Sequence, residues 1–164
     1  MMARNMLNRN FQEFIALLNA RGVKYLVVGG YAVGFHGHPR YTKDLDVFIA
    51  VSDANAGKLV EVFKEFGFSE NPPDKDSFLT PQNIVEIGRE PQMIHVCTDI
   101  DGVTFNECYR GRILMKDGNL TIPFIGLEEL LKNKQSTRRS KDRIDVIELK
   151  KVMRKSQRTP RKAG

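Results

Sequence analysis

The sequence predicts an α/β (α+β) fold: a mixed β-sheet of about five strands flanked by helices, with further helices at the C-terminal end. Three observations predict it. Short runs rich in β-branched and aromatic residues alternate with longer amphipathic runs, in the order αβαβαβββαα. Glycines and capping residues punctuate these runs where elements should end. The chain has 164 residues, 41% of them hydrophobic and 28% charged, enough to close one core. The reading is one domain over residues 1–155 and a basic, disordered tail over 156–164.

The elements follow in order. From Asn8 to Ala20, the residues Phe11, Phe14, Ile15, Leu17 and Leu18 fall on one helical face, and Gly22 marks the stop. Lys24–Val28 is a short strand ended by Gly29-Gly30, with a helix over Tyr31–His36. Leu45–Val51 is a buried strand. Ser52 caps a helix that reaches Phe66 through Ala56, Leu59, Val60 and Phe63, and Gly67 ends it. Residues 70–81, with Pro72-Pro73 at the centre, form a loop. Asn83–Ile87 and Gln92–Thr98 are strands, and Thr104-x-x-Glu107 is a capping box for a short helix. Ile113–Lys116 and Leu120–Pro123 flank Asp117-Gly118-Asn119, a hairpin turn. Leu127–Lys134 is helical. A final helix runs from a cap at Ser140 to about Met153, with Ile144, Ile147 and Leu149 expected in the core.

Composition narrows the function classes. No apolar run approaches the ~20 residues of a membrane span, and no signal-peptide block opens the chain. Cys97 and Cys108 form neither a disulfide framework nor a zinc pattern, so a cytoplasmic, reduced protein is expected. The net charge of +6 is uneven: residues 132–164 hold 13 Lys+Arg against 3 Asp+Glu. That basic end can attract a polyanion, or can be a solvated helix and tail, and no base-stacking aromatic lies there.

The strongest local signal is Val28-Gly29-Gly30-Tyr31-Ala32, then Tyr31–Lys43, then Asp44-Leu45-Asp46-Val47. Strand alternation puts Asp44 and Asp46 on one face. Two such carboxylates repel unless a cation lies between them, and Mg2+ favours one or two carboxylates plus phosphate oxygens. The glycine pair ends a strand and opens a helix, where free N–H groups and the positive dipole end suit a phosphate. Alone, the glycines would be a tight turn and the aspartates a solvated pair. In this order and spacing they are better explained as one site.

Gly29-Gly30-Tyr31-Ala32, His36-Gly37, Arg40, Thr42 and Asp44-Leu45-Asp46 together resemble the nucleotidyltransferase (polymerase-β-like) superfamily. The closer likeness is to its small bacterial and archaeal branch, which includes minimal nucleotidyltransferases and the toxin of the type IV abortive-infection system. Weaker likeness continues through residues 100–105, Leu127–Leu130, Asn133-Lys134, Arg139, Lys141-Asp142 and Asp145, covering most of residues 23–150. The resemblance implies transfer of a nucleoside monophosphate from an NTP, with Mg2+ or Mn2+ held by Asp44 and Asp46. It implies Lys134 as a catalytic lysine near the phosphates, and Gly29, Gly30, His36, Arg40, Thr42 and Asp142 around the nucleotide. Lys134 can equally be an exposed lysine of a basic segment, and Asp142 reads better as a first-turn residue complementing the helix dipole. Arg40 suits phosphate oxygens through its planar fork. His36-x-His38 lacks a third soft ligand and is not read as a metal pair.

One position departs from the resemblance. A third carboxylate is expected within Met93-Ile94-His95-Val96-Cys97, and His95 stands there instead. Imidazole binds metals without adding negative charge. Three outcomes follow: a different metal is used, with His95 as a ligand; Asp99 or Glu86 is recruited; or catalysis is lost while a nucleotide site remains. As a fourth, His95 is a partly buried strand residue bonded to nearby backbone. The expected partners are an NTP and an RNA or protein acceptor, with no membrane. A nucleotide-binding module paired with another protein in a toxin–antitoxin system, and a nucleic-acid binder using the basic tail, are the alternatives.

Overall fold

The computed structural model describes residues 7–67 and 71–158. Helix α1 (Arg9–Ala20) starts where Asn8 Oδ1 accepts the Phe11 amide at 2.9 Å, and α3 (Asp53–Phe66) starts where Ser52 Oγ accepts that of Asn55 at 3.1 Å. Gly67, at φ 80°, closes α3 in the left-handed conformation. The expected box at Thr104 and Glu107 opens α4 (Phe105–Arg110), each side chain bonding the other's backbone N–H.

Six strands form one sheet, against about five in the fold-class reading, and each falls on a run read as a strand: β1 (Tyr25–Val28), β2 (Leu45–Ile49), β3 (Ile84–Arg89), β4 (Gln92–Cys97), β5 (Ile113–Asp117) and β6 (Leu120–Phe124). Their spatial order is β3-β4-β2-β1-β6-β5. The sheet is mixed. β2 runs antiparallel to β1 but parallel to β4, and β6 runs parallel to β1. Every residue of β1 is buried, so both faces of the sheet are covered at its centre. Helices α1 and α3 pack through Phe14, whose ring meets Phe63 and Phe66 edge-on at 5.8 and 5.3 Å.

Three element assignments are corrected. Helix α2 (Gly29–Phe35) begins at the glycine pair itself, since Gly29 at φ 68° takes the turn that Tyr31 was expected to follow. The expected loop around Pro72-Pro73 contains a 3-10 turn, Lys75–Phe78, capped by Asp74 and anchored by the buried Phe78. The last helix, α6 (Ser140–Arg158), includes Ser140 rather than starting after it and continues past Met153. Residues 156–158 of the expected tail are therefore helical, and 159–164 lie outside the described residues.

The orientation of α6 differs most from the hydropathy pattern. Leu149 is buried as expected, but Ile144 and Ile147 are 58% and 56% exposed. Their expected places are taken by Asp142 and Asp145, both buried, which bond Lys134 of α5 (Leu127–Gln135). The magnitudes explain the choice. Ile144 and Ile147 are already nearly half covered, so burying the rest of both would gain roughly what one isoleucine side chain gains, about 1.5–3 kcal/mol. Leaving a buried ammonium without its carboxylates costs about 3–5 kcal/mol, and removing both would cost more.

This orientation predicts unequal effects on one helix. Leu149→Ala should cost about 2–5 kcal/mol, whereas Ile147→Ala should stay within about 0.5 kcal/mol. Urea unfolding of the two variants checks it.

Candidate active site

The strand register assembles the site. Val28 at the end of β1 pairs with Asp46 on β2, Asp46 with His95 on β4, and His95 with Glu86 on β3. Residues so paired present their side chains on the same face of the sheet. His95 Nδ1 lies 3.0 Å from Asp46 Oδ1, and its Nε2 lies 3.7 Å from Glu86. The Asp46 hydrogen bond holds the imidazole pKa above its ordinary value, against an opposing effect of burial. His95 thus faces the cavity beside Asp46 and does not belong to the core.

Gly29 comes directly after Val28, so its backbone lies against Asp46. A Cβ there would overlap the Asp46 carboxylate, and the positive φ would strain any other residue. At Gly30 a Cβ would lie 2.5 Å from Thr42 Oγ1 and 2.8 Å from Thr42 Cβ. The two glycines therefore let the Thr42–Asp46 segment close onto the start of α2. Asp44 Oδ1 accepts the Met93 amide at 3.0 Å, which fixes the second carboxylate across the β2–β4 edge.

These residues line a cavity of about 690 Å³, within the range of small-molecule sites. Gly29, Gly30, Arg40, Thr42, Asp44, Asp46, His95 and Lys134 all reach it. His36 and Asp142 do not. The His36 ring bonds the Ile125 carbonyl at 2.6 Å, and burial holds its pKa below the ordinary value despite that bond. It ties the loop after α2 to the end of β6. Of the two substitutes considered for a third ligand, Asp99 faces the cavity but accepts the Gln82 amide at 2.6 Å, and Glu86 stands behind His95.

The expected phosphate-binding cations are already engaged. Lys134, only 5% exposed, lies 2.8 Å from Asp142 and 3.3 Å from Asp145. Arg40 grips Asp145 with two parallel bonds of 3.0 and 3.1 Å. Asp142 also accepts from Thr137 Oγ1 at 2.6 Å and Arg139 Nε at 3.1 Å. Burial would raise the Asp142 pKa, but the bonds from Lys134 and Thr137 and the charges of Lys134 and Arg139 outweigh it and hold it low. Asp142 is thus a buried partner of Lys134, not merely a first-turn residue facing the dipole. Thr137 and the bridging role of Asp145 went unread in the sequence. Arg40 and Asp145 are 105 positions apart, so no local pattern connects them.

Among the described residues, no cluster of three or more His, Cys, Asp or Glu is arranged to hold a metal alone. The available donors are the second oxygens of Asp44 and Asp46, which have no hydrogen-bond partner among those residues. Two such carboxylates fit a hard dication that completes its shell with phosphate and water.

The buried pair carries a stability prediction. Lys134→Met leaves two carboxylates without their ammonium and should cost about 3–5 kcal/mol. Because the folded Asp142 pKa is depressed, its contribution is full above the ordinary carboxyl pKa near ~4 and disappears as pH falls through the lowered value. Thermal melts from about pH 5 to about pH 2 should show a weaker acid dependence in Asp142→Asn than in the unaltered chain.

No protein-family model and no curated protein matches the chain. Solved structures do. A Thermotoga maritima protein assigned to the nucleotidyltransferases is 18% identical, with 95% of each chain covered and a TM-score of 0.56. The lincomycin-bound lincosamide antibiotic adenylyltransferase LnuA is 16% identical over 89% of this chain and 98% of its own, at a TM-score of 0.57. The antibiotic-resistance factor ANT(2'')-Ia, in complex with adenylyl-2''-tobramycin, is 12% identical over 90% and 89%, at 0.55. At such identities the likeness is one of architecture, and it extends over nearly the whole chain: the protein has the nucleotidyltransferase fold.

Proposed function

We propose that this protein is a metal-dependent nucleotidyltransferase, moving a nucleoside monophosphate from an NTP to a hydroxyl acceptor. The observation that carries this reading is the convergence of Asp44, Asp46 and the Gly29-Gly30 helix start on one cavity. The α2 amides suit phosphate oxygens, and the two carboxylates suit the cation that accompanies them. A divalent cation at Asp44 and Asp46, Mg2+ or Mn2+, would neutralise triphosphate charge and draw the acceptor oxygen toward phosphorus. Transfer then joins the acceptor oxygen to the α-phosphorus and releases pyrophosphate, with the acceptor proton passing to solvent.

Within this reading, the chain's own residues have distinct tasks. Arg40 and Lys134 face the cavity but are held by Asp142 and Asp145, so they position the loop before β2 and contribute field more than free charge. Two neighbours in fold are named with small antibiotics bound or adenylylated, and the cavity volume supports a small acceptor here. An RNA end is the second acceptor class. It is favoured by α6, which turns Asp142 and Asp145 inward and exposes Lys141, Arg143, Lys150, Lys151 and Arg154.

The test is label transfer from α-labelled NTP into cell extract, followed by separation of small molecules, RNA and protein. Absence of label in every fraction, with both Mg2+ and Mn2+, would overturn the enzyme reading. The weakened-module alternative has its own support, because His95 takes one oxygen of Asp46 and adds no negative charge. A regulatory partner protein would belong to that alternative, and co-purification of a specific partner with an inactive chain would favour it.

Two variants follow. Asp44→Asn combined with Asp46→Asn should keep the fold and abolish metal-dependent NTP binding by calorimetry. Unchanged affinity in the folded double variant would rule these carboxylates out. His95→Asp should tighten Mg2+ binding and raise transfer, because a third negative charge improves the fit to a hard dication. Mg2+ titration and the melting temperature, measured together, check it. A large loss of stability without a gain in affinity counts against the metal site.

A further inference from the structure

Besides the His95 imidazole, Tyr41 carries the aromatic ring among the described residues lining the cavity, and it is 83% exposed. Its neighbours explain why the ring points outward. Arg40 turns inward to Asp145, and Thr42 fills the space above Gly30. The chain between them is therefore held from both sides, and the Arg40 guanidinium also donates to the Tyr41 carbonyl at 3.4 Å. The ring itself makes no aromatic contact or hydrogen bond among the described residues. Tyr41 and Asp44 are three positions apart in the segment before β2, and both line the cavity.

We infer that Tyr41 is the platform on which the nucleobase of the bound nucleoside triphosphate stacks, an inference that rests on the nucleotidyltransferase reading above. The helix start and the two aspartates account for the phosphates, but neither can recognise a base. A flat ring on a fixed loop beside the phosphate site can, and stacking on it loses little conformational entropy. Such stacking accepts any base, so the pocket gains affinity for nucleotides over bare polyphosphate without strict base choice. The other large exposed apolar residue of the cavity is Ile84, on the edge strand β3, which offers no π-face.

The experiment compares two probes, ATP and inorganic tripolyphosphate, by calorimetry on the full chain with Mn2+. Tyr41→Ala should weaken ATP about tenfold or more and leave tripolyphosphate unchanged, and Tyr41→Phe should restore ATP binding. Equal weakening of both probes shows that Tyr41 only supports the phosphate loop and overturns the inference. So does an unchanged ATP affinity in Tyr41→Ala, or a loss of ATP affinity in Ile84→Ala alone. If the unaltered chain binds neither probe, the nucleotidyltransferase reading itself fails. Binding of tripolyphosphate as tight as ATP leaves that reading standing and removes the base platform.

Discussion

A lysine ammonium that has lost its water must keep its carboxylates, and at Lys134 that requirement joins three parts of the chain. Lys134 on α5 holds Asp142 and Asp145 on α6, and Asp145 in turn holds Arg40 in the loop before β2. Removing Lys134, Asp142 or Asp145 leaves a buried charge short of a partner. The network fixes the rotation of α6 and the course of residues 36–44. It also fixes the backbone that delivers Thr42 and Asp44 to the cavity.

The second constraint is steric. Asp46 can lie beside the start of α2 only because Gly29 has no Cβ and adopts a left-handed φ. Strand pairing then lines up Val28, Asp46, His95 and Glu86 across four neighbouring strands. The two constraints act on opposite sides of the same carboxylate pair. Sheet register sets where Asp44 and Asp46 stand, and the buried ion network sets what faces them.

The electrostatic consequence is a cavity whose cations are largely neutralised by their own structural partners. Arg40, Lys134 and Arg139 each pair with an aspartate of α6. Asp44 and Asp46 retain unbonded oxygens, which are the donors that the proposed metal would use. His95 tempers this by sharing Asp46, which is the physical reason to expect metal affinity to respond to that one position.

Much of the fold was legible because its signals are local. The caps at Asn8, Ser52 and Thr104, the stop at Gly67 and the Asp117–Asn119 hairpin each need only a few neighbouring residues. The Gly29-Gly30 and Asp44-x-Asp46 pair was legible for the same reason, since strand alternation and a helix start are short-range geometry. What the tertiary structure alone decided is which side of α6 faces inward and whom Arg40 and Asp145 meet. Hydropathy favours burying Ile144 and Ile147, each of which would gain a few kcal/mol at most. The buried charge of Lys134 outweighs that gain, and its partners come from helices and loops distant in sequence.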